Sequence, residues 1–158
     1  MGRVNAAPSP AVAAELSVVG EDLGPDAASV VNALAARLHA SGRVDDPAVL
    51  AEAVLAREAI GTTALPGGIA MPHARHASVT TPSVVAALLP EAVTWTDGSG
   101  PVRLVLLVAA PGDDSAGYLG LVQKVAAACV KTAFIDDVNG AGSAQELADI
   151  LSAATHQR

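Results

Sequence analysis

Residues 102–110 read VRLVLLVAA, a nearly continuous aliphatic run of about strand length. An alternating pattern would indicate a strand with one face in water, whereas a continuous run indicates burial on both faces. Such a strand belongs in the middle of a sheet that carries helices on each side. Residues 83–89, SVVAALL, predict a second buried strand, and residues 14–19, AELSVV, predict a short first one.

Helical patterns lie on both sides of these strands along the chain. The first predicted helix covers residues 24–42 and has Pro25 at its first position, where the missing N–H does no harm. A second is predicted to begin at Asp46, an N-cap followed by proline. Two more are predicted at residues 118–131 and after the capping box at residues 143–146.

The composition fits one domain with an aliphatic core. The chain has 158 residues, of which 51% are hydrophobic and only 2% aromatic. With the order of elements, this predicts an α/β fold in a single domain, a mixed central β-sheet flanked by helices on both faces. We expect residues 1–10 to form a flexible tail and residues 11–155 to form the domain.

Charge and hydropathy exclude several classes of function. The net charge is −7, and only 9 residues are Lys or Arg, so non-specific nucleic-acid binding is not expected. No apolar run approaches the roughly 20 residues that cross a bilayer, and no signal peptide is evident, so we expect a cytoplasmic protein. The single cysteine, Cys129, excludes an intrachain disulfide and is predicted to be a small buried hydrophobe.

The chemistry is predicted to lie in residues 57–75, REAIGTTALPGGIAMPHAR. Gly67 and Gly68 allow a sharp turn whose N–H groups can form a nest for an anion. Pro72 restricts the chain just before His73, and an imidazole can be both a neutral nucleophile and a phosphoryl carrier near neutral pH. Arg57 offers a planar guanidinium that matches phosphoryl oxygens. A Gly- and Pro-rich loop with one histidine also has purely structural uses, so spacing alone does not decide between them.

The order of residues in this stretch resembles the signature of the fructose/mannitol-type enzyme IIA family of the bacterial sugar phosphotransferase system. An Arg-Glu pair, a short gap, a Gly-rich turn and then G-I-A-M-P-H-A-R follow one another as they do in that family. The resemblance extends to the helical residues 34–58 before the motif and to the strand-turn-strand pattern of residues 93–111 after it.

The resemblance implies a function as well as the mannitol-type IIA fold. His73 occupies the position of the phosphorylated histidine, and Arg57 matches an arginine of the active site. The protein would be a phosphotransferase that accepts a phosphoryl group from phospho-HPr, through Nε2 of His73, and passes it to a cysteine of a sugar-specific enzyme IIB. It would need no cofactor, and it would meet the membrane only through enzyme IIC.

The chain departs from the family pattern at Tyr118, which stands in the segment GYLGL where family members commonly have a second histidine. Tyr118 is either an amphipathic residue at a helix start or a hydrogen-bond donor to a phosphoryl oxygen. Arg75 is either a contact for an acidic partner surface or a solvated side chain. His73 and His76 are three residues apart, but no further ligand completes a metal site, so none is predicted.

Two other functions remain open from the sequence. A nitrogen-type regulatory IIA protein has the same fold and controls protein partners through its phosphorylation state. A degenerate binding module would have lost phosphorylation. Tyr118 is the one feature that favours it, whereas the intact Pro72-His73 and Arg57 point against it. The spacing of the motif does not separate transport from regulation, because both kinds of protein keep His73. No residue indicates which sugar is involved.

Overall fold

The structure is a computed structural model that describes residues 11–95 and 100–155, so the predicted tail at residues 1–10 lies outside it. The described part contains six strands, five α-helices and one short 3-10 helix, Ala14–Leu16. The strands are β1 Ser17–Val19, β2 Ala64–Leu65, β3 Ile69–Ala70, β4 His73–His76, β5 Ser83–Thr94 and β6 Pro101–Pro111. The helices are α1 Ala27–Ala40, α2 Pro47–Ile60, α3 Ser115–Cys129, α4 Thr132–Asn139 and α5 Ala144–Thr155.

The six strands form one mixed sheet around β6. The order is β1-β5-β6-β3-β2, and β4 pairs with β6 as well. β5 runs antiparallel to β6, whereas β3 and β4 run parallel to it. The stretch at residues 102–110 is therefore the centre of the sheet, as its sequence predicts.

β3 and β4 form a single line along one side of β6. Ile69 lies opposite Leu104 and His73 lies opposite Val108, so the register stays constant across the gap between the two strands. The gap is at Pro72, whose carbonyl accepts the N–H of Val108 at 2.9 Å. The pairing of β4 with β6 thus fixes His73 at the position opposite Val108 of the central strand.

Helices cover both faces of the sheet, as predicted for the α/β fold. α1 and α2 pack on one face and α3, α4 and α5 on the other, and each face has its own hydrophobic core. Along β6, Val105 and Leu107 face the first core, whereas Leu106 and Val108 face the second. All four are fully buried, so the continuous aliphatic run reflects burial on both faces.

Two helices begin elsewhere than the sequence predicts. α1 begins at Ala27 and not at Pro25, because the Asp26 side chain accepts the N–H of Ser29 at 2.9 Å and caps the helix. α3 begins at Ser115, three residues before the predicted start, because Asp114 caps it in the same way. The short helix α4 was not predicted as a separate element.

The prediction of a small buried hydrophobe at position 129 is confirmed. Cys129 is buried, and burial raises the pKa of its thiol to about 11, which keeps the sulfur protonated and unreactive at neutral pH. In the described part of the chain no single helix is long and apolar enough to cross a membrane. Only α3 and α4 taken together, bent by 84° at their junction, reach that length and composition.

Candidate functional site

The histidine singled out by the sequence, His73, is the first residue of β4. In the described part of the chain β4 pairs with no strand other than β6, so its outer edge has no strand neighbour. α2 packs against β4, and so does α3 from the opposite face. β4 is therefore covered by a helix on each face, and the imidazole of His73 is half-buried.

The imidazole of His73 is held by the backbone two residues earlier. Its Nδ1 lies 2.8 Å from the carbonyl oxygen of Met71. A carbonyl only accepts, so Nδ1 carries the proton and donates it, and Nε2 keeps its lone pair. The ring nitrogen away from the backbone is thus the one that is available as a nucleophile, which the sequence alone did not indicate.

Tyr118 lies beside this imidazole. The two ring centroids are 6.0 Å apart and the planes are inclined by 47°. Tyr118 is in the first turn of α3, where its N–H bonds to the carbonyl of Asp114 at 3.0 Å. The structure thus brings Tyr118 to His73, although the two residues are far apart in the sequence.

Two arginines approach the same place from different elements. Arg57 is in the last turn of α2, and its guanidinium donates to the carbonyl of Gly61 at 2.9 Å. Arg75 is exposed on β4, two residues after His73 and therefore on the same face of the strand. Burial raises the pKa of Tyr118, while the positive charges of Arg57 and Arg75 lower it, so both guanidinium groups act on the Tyr118 hydroxyl.

The single tyrosine makes this arrangement directly testable. The rise in tyrosinate absorbance with pH reports Tyr118 alone, and we expect its midpoint to lie above the ordinary value of 10.0. Because Arg57 favours the ionised form, Arg57→Ala should raise the pKa further. Folding favours the neutral hydroxyl, so its stabilising contribution is complete below pH 10.0 and is lost as the pH rises through the folded-state pKa.

The control for this titration is Arg37→Ala, which removes a guanidinium of α1 that pairs with Glu21. It should leave the midpoint of Tyr118 in place. An unchanged midpoint in Arg57→Ala would show that Arg57 does not face the tyrosine.

The structure does not bring Gly67 and Gly68 to His73. Both have positive φ in the turn between β2 and β3, as a Gly-Gly turn requires, but the Gly68 carbonyl accepts the N–H of Leu104 at 3.1 Å. His73 lies opposite Val108, so at ~3.3 Å per residue the turn is roughly 13 Å away along β6. The hairpin thus places these glycines toward the other end of the strand, and a phosphoryl-binding role for Gly67 and Gly68 stays a prediction.

His76 has local partners of its own. Its Nδ1 accepts the N–H of Ser78 at 3.0 Å and lies 2.9 Å from the hydroxyl of the same serine. No group of three or more His, Cys, Asp or Glu side chains in the described part of the chain is arranged to hold a metal ion.

Sequence reasoning passed over two residues beside the site, Glu58 and Thr63. Glu58 follows Arg57 on α2 but is buried, and its carboxyl oxygens accept the N–H and the hydroxyl of Thr63. The sequence did contain a signal that Glu58 is buried. Residues 50, 54 and 58 share one face of the helix, and only residue 58 is charged. An acid on the apolar stripe of a core-facing helix calls for a specific partner.

The sequence model of one protein family matches residues 15–154: phosphoenolpyruvate-dependent sugar phosphotransferase system, EIIA 2. A relative from Escherichia coli (strain K12), the PTS system 2-O-alpha-mannosyl-D-glycerate-specific EIIABC component, is 37% identical over 87 residues. Those residues are 54% of this chain but 13% of that protein, so the chain is similar to a small part of a much longer one.

Solved structures share the fold. The nitrogen regulatory protein IIA-Ntr from Neisseria meningitidis superposes with a TM-score of 0.78 at 22% identity, covering 89% of this chain and 96% of that one. The enzyme IIAMtl of Escherichia coli, solved in complex with phosphorylated enzyme IIBMtl, gives 0.74 at 22% identity, with coverage of 90% and 97%. At these identities the likeness is one of fold.

Proposed function

The chain belongs to the phosphoenolpyruvate-dependent sugar phosphotransferase system EIIA 2 family, and from that premise we propose that it is a phosphocarrier that accepts and donates a phosphoryl group at His73. One observation carries the proposal. The Nδ1 proton of His73 is engaged by the Met71 carbonyl, which leaves Nε2 free to attack. No cofactor is needed, because the group arrives on an activated nitrogen.

The reaction consists of two transfers between nucleophiles. The lone pair of Nε2 attacks the phosphorus of phospho-HPr, a new N–P bond forms on His73, and the N–P bond of the donor breaks. In the second step a cysteine thiolate of enzyme IIB attacks the same phosphorus, an S–P bond forms, and Nε2 of His73 leaves with its electron pair. Each step needs in-line geometry and charge stabilisation more than covalent help from the protein.

The neighbours of His73 suit that requirement. The guanidinium groups of Arg57 and Arg75 offer positive charge and N–H donors to the equatorial oxygens of the phosphoryl group. Tyr118 adds a neutral hydroxyl, and its raised pKa keeps that hydroxyl protonated throughout the physiological range. A histidine in its place would titrate near neutral pH, so Tyr118 is a donor whose strength does not change there.

The partners follow from the same proposal. Phospho-HPr is the donor, and an enzyme IIB is the acceptor, as in the mannitol complex of Escherichia coli. Residues 11–155 are the functional unit, it works in the cytoplasm, and it meets the membrane only through enzyme IIC. The likeness to the Neisseria regulatory protein is one of fold and supports neither transport nor regulation.

The proposal is tested by incubating the protein with phosphoenolpyruvate, enzyme I and HPr and then weighing it intact. We expect a gain of one phosphoryl group, which is lost in acid and kept in alkali as a phosphohistidine is. The mixture without HPr should give no gain. A wild-type protein that stays unmodified while HPr becomes fully phosphorylated would overturn the proposal and favour a degenerate binding module.

A further inference from the structure

Glu58 lies at the start of a hydrogen-bonded connection that ends at the imidazole of His73. Its Oε2 accepts the backbone N–H of Thr63 at 2.7 Å, and its Oε1 accepts the hydroxyl of the same residue at 2.5 Å. The carbonyl of Thr63 accepts the N–H of Met71 at 3.1 Å. The carbonyl of Met71 then accepts the Nδ1 proton of His73 at 2.8 Å.

The geometry of the hairpin explains why this connection is direct. β2 pairs with β3 so that Ala64 lies opposite Ala70, and the bond between Met71 and Thr63 extends that register by one more pair. Thr63 and Met71 are therefore the last hydrogen-bonded pair of the hairpin before His73. A side chain that fixes the position of Thr63 therefore also fixes the Met71 carbonyl, which orients the imidazole of His73.

Glu58 is costly as a structural residue. It is 7% exposed and lies on the face of α2 that also buries Leu50 and Val54. In the described part of the chain the one ion pair joins Arg37 to Glu21, so no basic side chain there pairs with Glu58. An aliphatic side chain would continue the apolar stripe without the penalty of a buried acid.

Glu58 also joins α2, which carries the charge-stabilising Arg57, to the strands that carry the nucleophile His73. Successive residues of a helix point about 100° apart, so Arg57 reaches the site while Glu58 turns inward. The carboxyl group thus fastens the end of α2, which carries Arg57, to the strand line that carries His73. A loss of this link changes the distance between a nucleophile and its charge-stabilising partner.

Resting on the proposed function, we propose that Glu58 is a positioning residue for phosphoryl transfer. Through Thr63 and Met71 it fixes the tautomer of His73 and the separation of His73 from Arg57. It does not touch the phosphoryl group. Thr63 has the same positioning role, because its backbone N–H and its hydroxyl both donate to Glu58.

The first readout is the nitrogen chemical shift of the His73 imidazole in unphosphorylated protein, which distinguishes a ring nitrogen with a proton from one without. The signals are assigned by their absence in His73→Ala. Wild type should show Nδ1 protonated and Nε2 bare. Glu58→Ala should show a mixture of both tautomers, and Glu58→Gln, whose amide oxygen still accepts from Thr63, should stay close to wild type.

The second readout is the rate of phosphoryl transfer from phospho-HPr. We expect Glu58→Ala to lower kcat by about ten- to a hundredfold with little change in KM for the carrier, because the reacting groups are misplaced while the docking surface remains. Thr63→Val, which removes only the hydroxyl, should give a smaller loss in the same direction, and Thr63→Ser should restore the rate. These two variants keep the test informative if Glu58→Ala does not fold.

The matched control is Asp46→Ala, which removes the cap at the opposite end of the same helix, where Asp46 accepts the N–H of Val49. It weakens α2 without reaching the site. If Glu58→Ala keeps the wild-type tautomer and rate, or falls only as far as Asp46→Ala, the positioning role is wrong. If wild type accepts no phosphoryl group at all, the proposed function fails, whereas the imidazole shifts still decide whether Glu58 orients His73.

Discussion

Replacing His73 by alanine is expected to abolish phosphorylation while the fold remains. The change removes the only atom in the site that forms the new N–P bond, and no neighbouring group can substitute for it. Tyr118 is held as a neutral hydroxyl, since burial raises its pKa. The loss should exceed about a thousandfold, because covalent transfer without its nucleophile has no alternative route at this site.

The measurement is intact mass after incubation with phosphoenolpyruvate, enzyme I and HPr, sampled from seconds to hours. The fold is checked by the far-ultraviolet circular dichroism and by the denaturation midpoint, since His73 is only half-buried. His76→Ala is the matched control, because His76 is on the same strand and bonds to Ser78 instead of the site. It should be phosphorylated like wild type, and a His73→Ala protein that still gains the group would place the phosphorylation elsewhere.

Replacing Arg57 by alanine is expected to slow the transfer by about two to three orders of magnitude, the usual cost of removing one donor that stabilises developing charge. The positive charge of Arg57 lowers the pKa of Tyr118, whose ring lies beside that of His73, and we expect the guanidinium to meet the equatorial oxygens there. Lysine should recover only part of the rate, since a single ammonium cannot reproduce the planar fork. The rate is measured by quenched-flow transfer from labelled phospho-HPr.

Two controls separate chemistry from position for Arg57. The guanidinium also donates to the carbonyl of Gly61, so the denaturation midpoint of Arg57→Ala must be compared with wild type. Arg37→Ala removes an equal charge from α1, where Arg37 pairs with Glu21, and should leave the transfer rate unchanged. A rate for Arg57→Ala within twofold of wild type would exclude a role for its charge in the transition state.

The fold was predictable because local signals agree with one another. Residues 104–110 of the aliphatic run are buried on both faces of the sheet, and the N-cap at Asp46 begins α2 where the sequence places it. The start of α1 was misplaced because two competing signals, proline at a first helical position and aspartate at an N-cap, stand at the adjacent residues Pro25 and Asp26. The Asp26 carboxyl accepts the N–H of Ser29, so Asp26 is the N-cap and the helix begins at Ala27.

The site was only partly predictable, because its geometry depends on contacts between distant parts of the chain. His73 was found from its motif, but its tautomer depends on the carbonyl of Met71, which spacing does not reveal. The position of Gly67 and Gly68 could not be predicted either, because residues that are close in the sequence are separated along the length of the extended strand line that leads to His73. Glu58 was missed because a charged residue next to Arg57 looks like a solvated neighbour until its burial is seen.

The open outer edge of β4 has a consequence for solubility. A bare strand edge offers its backbone groups to any other extended chain and is a starting point for aggregation. Here the N–H of Met71 is taken by Thr63, and its carbonyl is taken by the imidazole of His73. Pro72 has no N–H to offer. The imidazole of His73 therefore also occupies the backbone acceptor of Met71 just before β4, so the strand edge that stays bare is limited to β4 itself.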